Sequence, residues 1–131
     1  MNLPPQTSTP ALIWARRALV GYWLLLFGLT HTPRLPQPPD VEGIDKIGHF
    51  IAYGLLAILF LAWLHLRGAA GWRAYGLTLA VLVVYGVLDE LLQYPVGRST
   101  ELFDWYADVL GILAGSTMFA VSHFLGRKIK R

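Results

Sequence analysis

The sequence predicts an all-α fold, an integral membrane four-helix bundle with both termini cytoplasmic, and three observations carry that reading. The chain is 55% hydrophobic and only 15% Asp, Glu, Lys and Arg, whereas a soluble domain carries about 25% charged residues. Its apolar residues fall into four stretches, each near the ~20 residues that cross ~30 Å of hydrocarbon at ~1.5 Å per residue. No stretch alternates as a strand does, and a helical bundle satisfies the backbone in lipid without a closed barrel.

Residues 1–10 are polar and carry prolines, which predicts a disordered N-terminal tail. A four-span membrane domain follows over 11–126, then a basic cytoplasmic tail over 127–131. Span one is expected over 12–30, with Arg16 and Arg17 snorkelling to an interface. Those arginines before the apolar run Ala18 to Leu29 imitate a signal peptide, but Thr30-His31-Thr32-Pro33 lacks a small-x-small cleavage pattern, so an uncleaved span is expected. The link 31–44 holds Pro33, Pro36, Pro38 and Pro39, a density that forbids regular helix. Span two is expected over 47–66, and Gly68 and Gly71 bracket a turn. Span three runs over 72–94, stopped by Pro95 and Gly97, and span four over 104–125.

Charge sets the orientation. Four spans place the N-terminus, the 67–73 turn and the C-terminus on one side, with Arg16, Arg17, Arg67, Arg73, Arg127, Lys128, Lys130 and Arg131. The other side holds Arg34, Lys46 and Arg98. Eight against three puts both termini in the cytoplasm by the positive-inside rule. The net charge of +3 is therefore a topology and lipid-headgroup signal rather than a nucleic-acid one. The absence of cysteine excludes disulfides and thiolate chemistry.

Most polar residues of the spans sit at ends that share the outer face. Asp45, Lys46 and His49 open span two; Asp89, Glu90 and Gln93 close span three. Arg98 and Ser99 lie in the link, and Asp104 and Asp108 open span four. Charge at membrane depth costs ~2.5–3.5 kcal/mol on insertion scales and calls for a functional explanation. Asp45, His49 and Tyr53 share a stripe at four-residue spacing. Ala107, Gly111 and Gly115 form a small-residue stripe that lets a neighbouring helix approach, and Asp104 and Asp108 adjoin it. Each element also has a plain reading. Asp45 and Asp104 suit helix N-caps; Lys46, Arg98 and Arg34 suit snorkelling cations; Trp72, Tyr94, Trp105 and Tyr106 suit an interfacial aromatic belt.

As a set, these spacings resemble the VanZ-like family of small bacterial membrane proteins. The stretch DKIGHFIAY matches the family pattern at Asp45, Lys46, His49 and Tyr53; DELLQ matches at Glu90 and Gln93; RSTELFDWYADVLGILAG matches at Arg98, Asp104, Gly111 and Gly115. Asp108 departs from it, standing where the family usually has Asn. The resemblance implies a multi-pass protein of the bacterial inner or cytoplasmic membrane. It also brings the association of the founding member with resistance to the glycopeptide teicoplanin.

Three functions remain open from the sequence. In the first, the outer-face site acts on or binds a cell-envelope or lipid-linked ligand. His49, Glu90 and Asp108 are then the candidate catalytic residues, with Glu90 or Asp108 as general base and His49 as acid/base partner or metal ligand. Asp45, Lys46, Tyr53, Gln93, Arg98 and Asp104 are the candidate substrate-binding residues, Arg98 and Lys46 holding a phosphate or carboxylate. Candidate partners besides the lipid bilayer are an envelope glycolipid, a peptidoglycan precursor or a glycopeptide; nucleic acid is not among them. No HExxH or comparable motif is present, so no metal is assigned and the cofactor is left unknown. The second function is a structural or partner-binding membrane protein without catalysis. The third is a small transporter, which the apolar inner halves of spans two and three argue against.

Overall fold

The computed structural model describes residues 9–32, 42–97 and 101–129. Four helices, α1 (Pro10–Thr30), α2 (Glu42–Leu66), α3 (Trp72–Gln93) and α4 (Leu102–Ile129), form a bundle, and a 3-10 turn (Tyr94–Val96) follows α3. All four are long and apolar enough to cross a membrane. Exposed residues such as Leu24 (67%), Val84 (58%) and Met118 (64%) give them an apolar outer surface, which suits lipid and is poorly suited to water.

The ends follow local chemistry. Thr9 caps α1, its hydroxyl accepting from the Leu12 N–H at 3.3 Å, and Pro10 occupies the first turn. α2 ends in a Schellman motif: Ala69 N–H reaches the Leu64 carbonyl at 3.0 Å and Gly68 N–H reaches that of His65 at 2.9 Å. This requires the left-handed backbone that Gly68 supplies (φ 84°).

Helix α2 is the hub. It packs mainly along α4, with α1 and α3 on its flanks. The α2–α4 seam is backbone on backbone. A Cβ on Gly111 would overlap the carbonyl of Phe50, and one on Gly115 would overlap that of Gly54. The small stripe expected on span four is therefore the interface, and Gly54 is its counterpart on α2. Beneath the polar end, Leu56, Ala57, Leu61, Leu82 and Ile112 fill an apolar core.

Three boundaries differ from the sequence expectation. α2 begins at Glu42, five residues before 47, so Asp45 and Lys46 lie inside its first turns and Asp45 is no N-cap. α4 begins at Leu102 and places Asp104 in its first turn rather than at the cap. It also runs to Ile129, into the basic stretch. In the two early starts hydrophobic periodicity marks only where the span turns apolar, while the polar residues before it still take helical geometry. Residues 1–8, Arg34, the link prolines, Arg98 and Ser99 lie outside the described residues.

Candidate functional site

The polar residues converge because three helix ends meet where the α2–α4 seam opens. His49 sits on the face of α2 that meets α4, one turn before Tyr53; the two rings are nearly parallel with centroids 6.5 Å apart. On α4, Asp104 and Asp108 lie one turn apart beside the glycine stripe. Both are buried, Asp108 completely. α3 delivers Asp89 and Glu90, also buried.

His49 is the centre. Its Nδ1 lies 2.9 Å from Asp108 Oδ1, in both hydrogen-bond and ion-pair range. An ionised carboxylate only accepts, so wherever Asp108 is ionised Nδ1 is the donor in this contact. Its Nε2 faces Asp104 Oδ2 at 3.9 Å. Asp104 Oδ1 is 3.5 Å from the Lys46 ammonium, which donates to Glu101 Oε2 at 3.2 Å. Glu90 Oε2 accepts the backbone N–H of Glu101 at 3.1 Å, tying α3 to the start of α4. One donor atom from each of His49, Glu90 and Asp108 lies within 4.8 Å of the other two, and the same holds for Asp45, His49 and Asp104.

A second network adjoins the first and is centred on Asp89. Thr30 of α1 donates to Asp89 Oδ1 at 2.9 Å and Tyr85 at 3.3 Å, while Gln93 Nε2 reaches Oδ2 at 3.4 Å. His31 Nδ1 stands 3.7 Å from Oδ1. With three donors, this carboxylate is satisfied. The His49 cluster is not: Asp108 Oδ2, Glu90 Oε1 and the Tyr53 hydroxyl are buried without a hydrogen-bond partner among the described residues. A buried unsatisfied polar group costs about 1–3 kcal/mol, more when charged.

The structure thus brings His49, Glu90 and Asp108 together, with Asp45, Lys46 and Asp104 beside them and Tyr53 beneath. Gln93, grouped with these by sequence, instead serves Asp89. Asp89 itself had a legible signal, standing four residues after Tyr85 and four before Gln93. Thr30, His31 and Glu101 had none, because their partners are distant in sequence. Trp105 also departs from the aromatic-belt reading. It is half-buried, its indole N–H directed at the Val83 carbonyl at 3.4 Å, and its ring lies against Gly86. Trp72, Tyr94 and Tyr106 stay exposed, as a belt requires.

Beside the cluster, a laterally open groove of about 430 Å³ runs between α3 and α4. Val87, Leu91, Leu102 and Trp105 make its wall apolar, and Glu90 and Glu101 stand at its polar end.

Four helices long and apolar enough to cross a membrane, with a buried polar cluster at one end, define a multi-pass membrane protein. A family model described as VanZ/LLP1 matches residues 1–123, and the chain belongs to that family. No curated protein and no solved structure matches it.

Proposed function

We propose that this chain binds or acts on an amphipathic cell-envelope ligand at the outer face of the bacterial inner membrane. The polar group of the ligand meets the His49–Glu90–Asp108 cluster, and its apolar part lies along the α3–α4 groove. The observation that carries this reading is the continuity of the two: Glu90 belongs to the cluster and also lines the groove. A site for a free polar solute has no need of an apolar side door; a lipid-linked one does. Asp45, Lys46, Tyr53 and Asp104 support the polar end, and Arg98 in the link supplies a further cation. The excess of Lys and Arg near the termini favours cytoplasmic termini and an outer-face site. A glycopeptide-susceptibility phenotype is the physiological readout that the family name brings.

The test compares Glu90→Gln, His49→Ala and Asp108→Asn in membranes, reading protein level and envelope-stress or teicoplanin susceptibility together. Normal membrane levels with a lost phenotype support the reading. Unchanged phenotype at normal levels overturns it. A second reading, a polar cap that serves only to hold the bundle together, is favoured by one observation: the Asp89 network is satisfied internally. Loss of the folded protein in all three variants would select it.

A further inference from the structure

We propose that His49, Glu90 and Asp108 bind a divalent cation of the Zn²⁺ or Mn²⁺ type. The inference rests on reading this cluster as the working site, and names the ligand of its innermost part. The three residues come from α2, α3 and α4, so the constellation exists only in the packed bundle.

The open oxygens point to a cation. Asp108 is 0% exposed and Glu90 7% exposed, yet Asp108 Oδ2 and Glu90 Oε1 meet no hydrogen-bond donor among the described residues. Two buried carboxylates so placed call for compensating positive charge, and a divalent ion balances both while leaving the imidazole neutral. The donor set of one imidazole nitrogen and carboxylate oxygens is one that Zn²⁺ and Mn²⁺ accept. The geometry also fits. One ligand atom from each of the three residues lies within 4.8 Å of the other two, close enough for small side-chain adjustments to bring all three onto one ion.

With Nδ1 on the ion, the ring proton moves to Nε2, which faces Asp104 Oδ2 at 3.9 Å. Asp104 then becomes a positioning residue, the outer carboxylate that fixes the tautomer of a metal-binding histidine. The neighbouring set of Asp45, His49 and Asp104 is less suited, because the Lys46 ammonium already stands 3.5 Å from Asp104 Oδ1 and repels a second cation there. Three protein ligands leave a coordination position for water or for an oxygen of the envelope ligand.

The test uses the tag-free full chain in detergent, stripped with chelator and titrated with ZnCl₂ and with MnCl₂ by calorimetry, no lipid ligand being present. Failure of the metal site and failure of the envelope-ligand reading are thus separable. One equivalent is expected to bind. Glu90→Gln and Asp108→Asn should each weaken it by at least about 100-fold, and Asp104→Asn by about 10–100-fold. A His65→Ala/His123→Ala variant should bind normally; it removes a competing histidine pair, ring centroids 4.4 Å apart, on α2 and α4 away from the cluster. No stoichiometric uptake overturns the proposal. So does uptake lost with His65 and His123, or lost in Asp45→Asn but kept in Glu90→Gln. Pulsed electron paramagnetic resonance of Mn²⁺ in the unmutated chain needs no variant to fold: imidazole nitrogen coupling is expected, and its absence also overturns the site.

Discussion

The carbonyl of Gly54 on α2 occupies the space that a Cβ on Gly115 of α4 would need. That contact, with its neighbour between Phe50 and Gly111, brings the two helices to backbone distance and sets the depth at which His49 meets Asp104 and Asp108. Packing and site are therefore one feature. The glycines let the helices touch, and the polar residues one position round the helix close the end of the seam.

Gly115→Ala should consequently cost more than an ordinary overpacking change. Core overpacking costs about 1–3 kcal/mol, and here the obstacle is backbone, which cannot change rotamer. A loss of at least about 2 kcal/mol is expected, read as lowered thermal stability in detergent, together with a weakened His49–Asp108 contact. Gly126 on the same helix has nothing within 4 Å of its added Cβ, so Gly126→Ala should be neutral or slightly stabilising. Equal melting of the two variants would contradict the seam.

Asp89→Ala separates scaffold from site. It strips the acceptor from Thr30, Tyr85 and Gln93 at once. The Thr30 hydroxyl keeps the Phe27 carbonyl as an acceptor, so the loss is set mainly by Gln93 and Tyr85, at about 1–3 kcal/mol for a buried donor left unsatisfied, and α1 should loosen first, since Thr30 ties it to α3. Hydrogen exchange resolved by helix would show this as early exchange in α1. Glu90→Gln, whose carboxylate has one open oxygen, should leave α1 protection unchanged.

The bundle and most of the cluster were legible in the sequence because both rest on periodicity. Apolar length gives the spans, four-residue spacing gives the Asp45–His49–Tyr53 stripe, and Gly111–Gly115 gives the seam. What periodicity could not reveal was which helix meets which. Gly54 is one small residue among many in α2 until Gly115 is set against it. Thr30 and His31 close a span whose link to Asp89 crosses nearly 60 residues of sequence, 59 for Thr30. Gln93 shows the limit from the other side: it shares the end of α3 with Glu90, but three residues of helix rotate it to a different neighbour. The helix starts were misplaced for a related reason, since Asp45 and Asp104 look like caps only while their partners are unknown.

Orientation is directly testable because the chain has no cysteine. Single substitutions Ser99→Cys and Ala69→Cys fall after and before α3 in the sequence. A membrane-impermeant maleimide applied to intact cells, with outer-membrane passage ensured where one exists, should label the first and reach the second only after lysis. The reverse pattern would put the polar cluster on the cytoplasmic face and remove the envelope-facing reading with it.

Filling the groove distinguishes a ligand door from an incidental gap. Leu91 is 61% exposed and lines the groove without touching the polar network. Leu91→Trp adds bulk to a lipid-exposed wall, so stability should change by less than about 0.5 kcal/mol, as at most surface positions. If an acyl or polyprenyl chain lies there beside Trp105, the variant should reproduce the phenotype of Glu90→Gln while His49, Glu90 and Asp108 remain intact. The informative comparison is Leu24→Trp on the outer face of α1, equally apolar and away from the groove. It should behave as the unmutated chain, and loss of phenotype in both would indicate a general effect of membrane bulk rather than a path for a ligand.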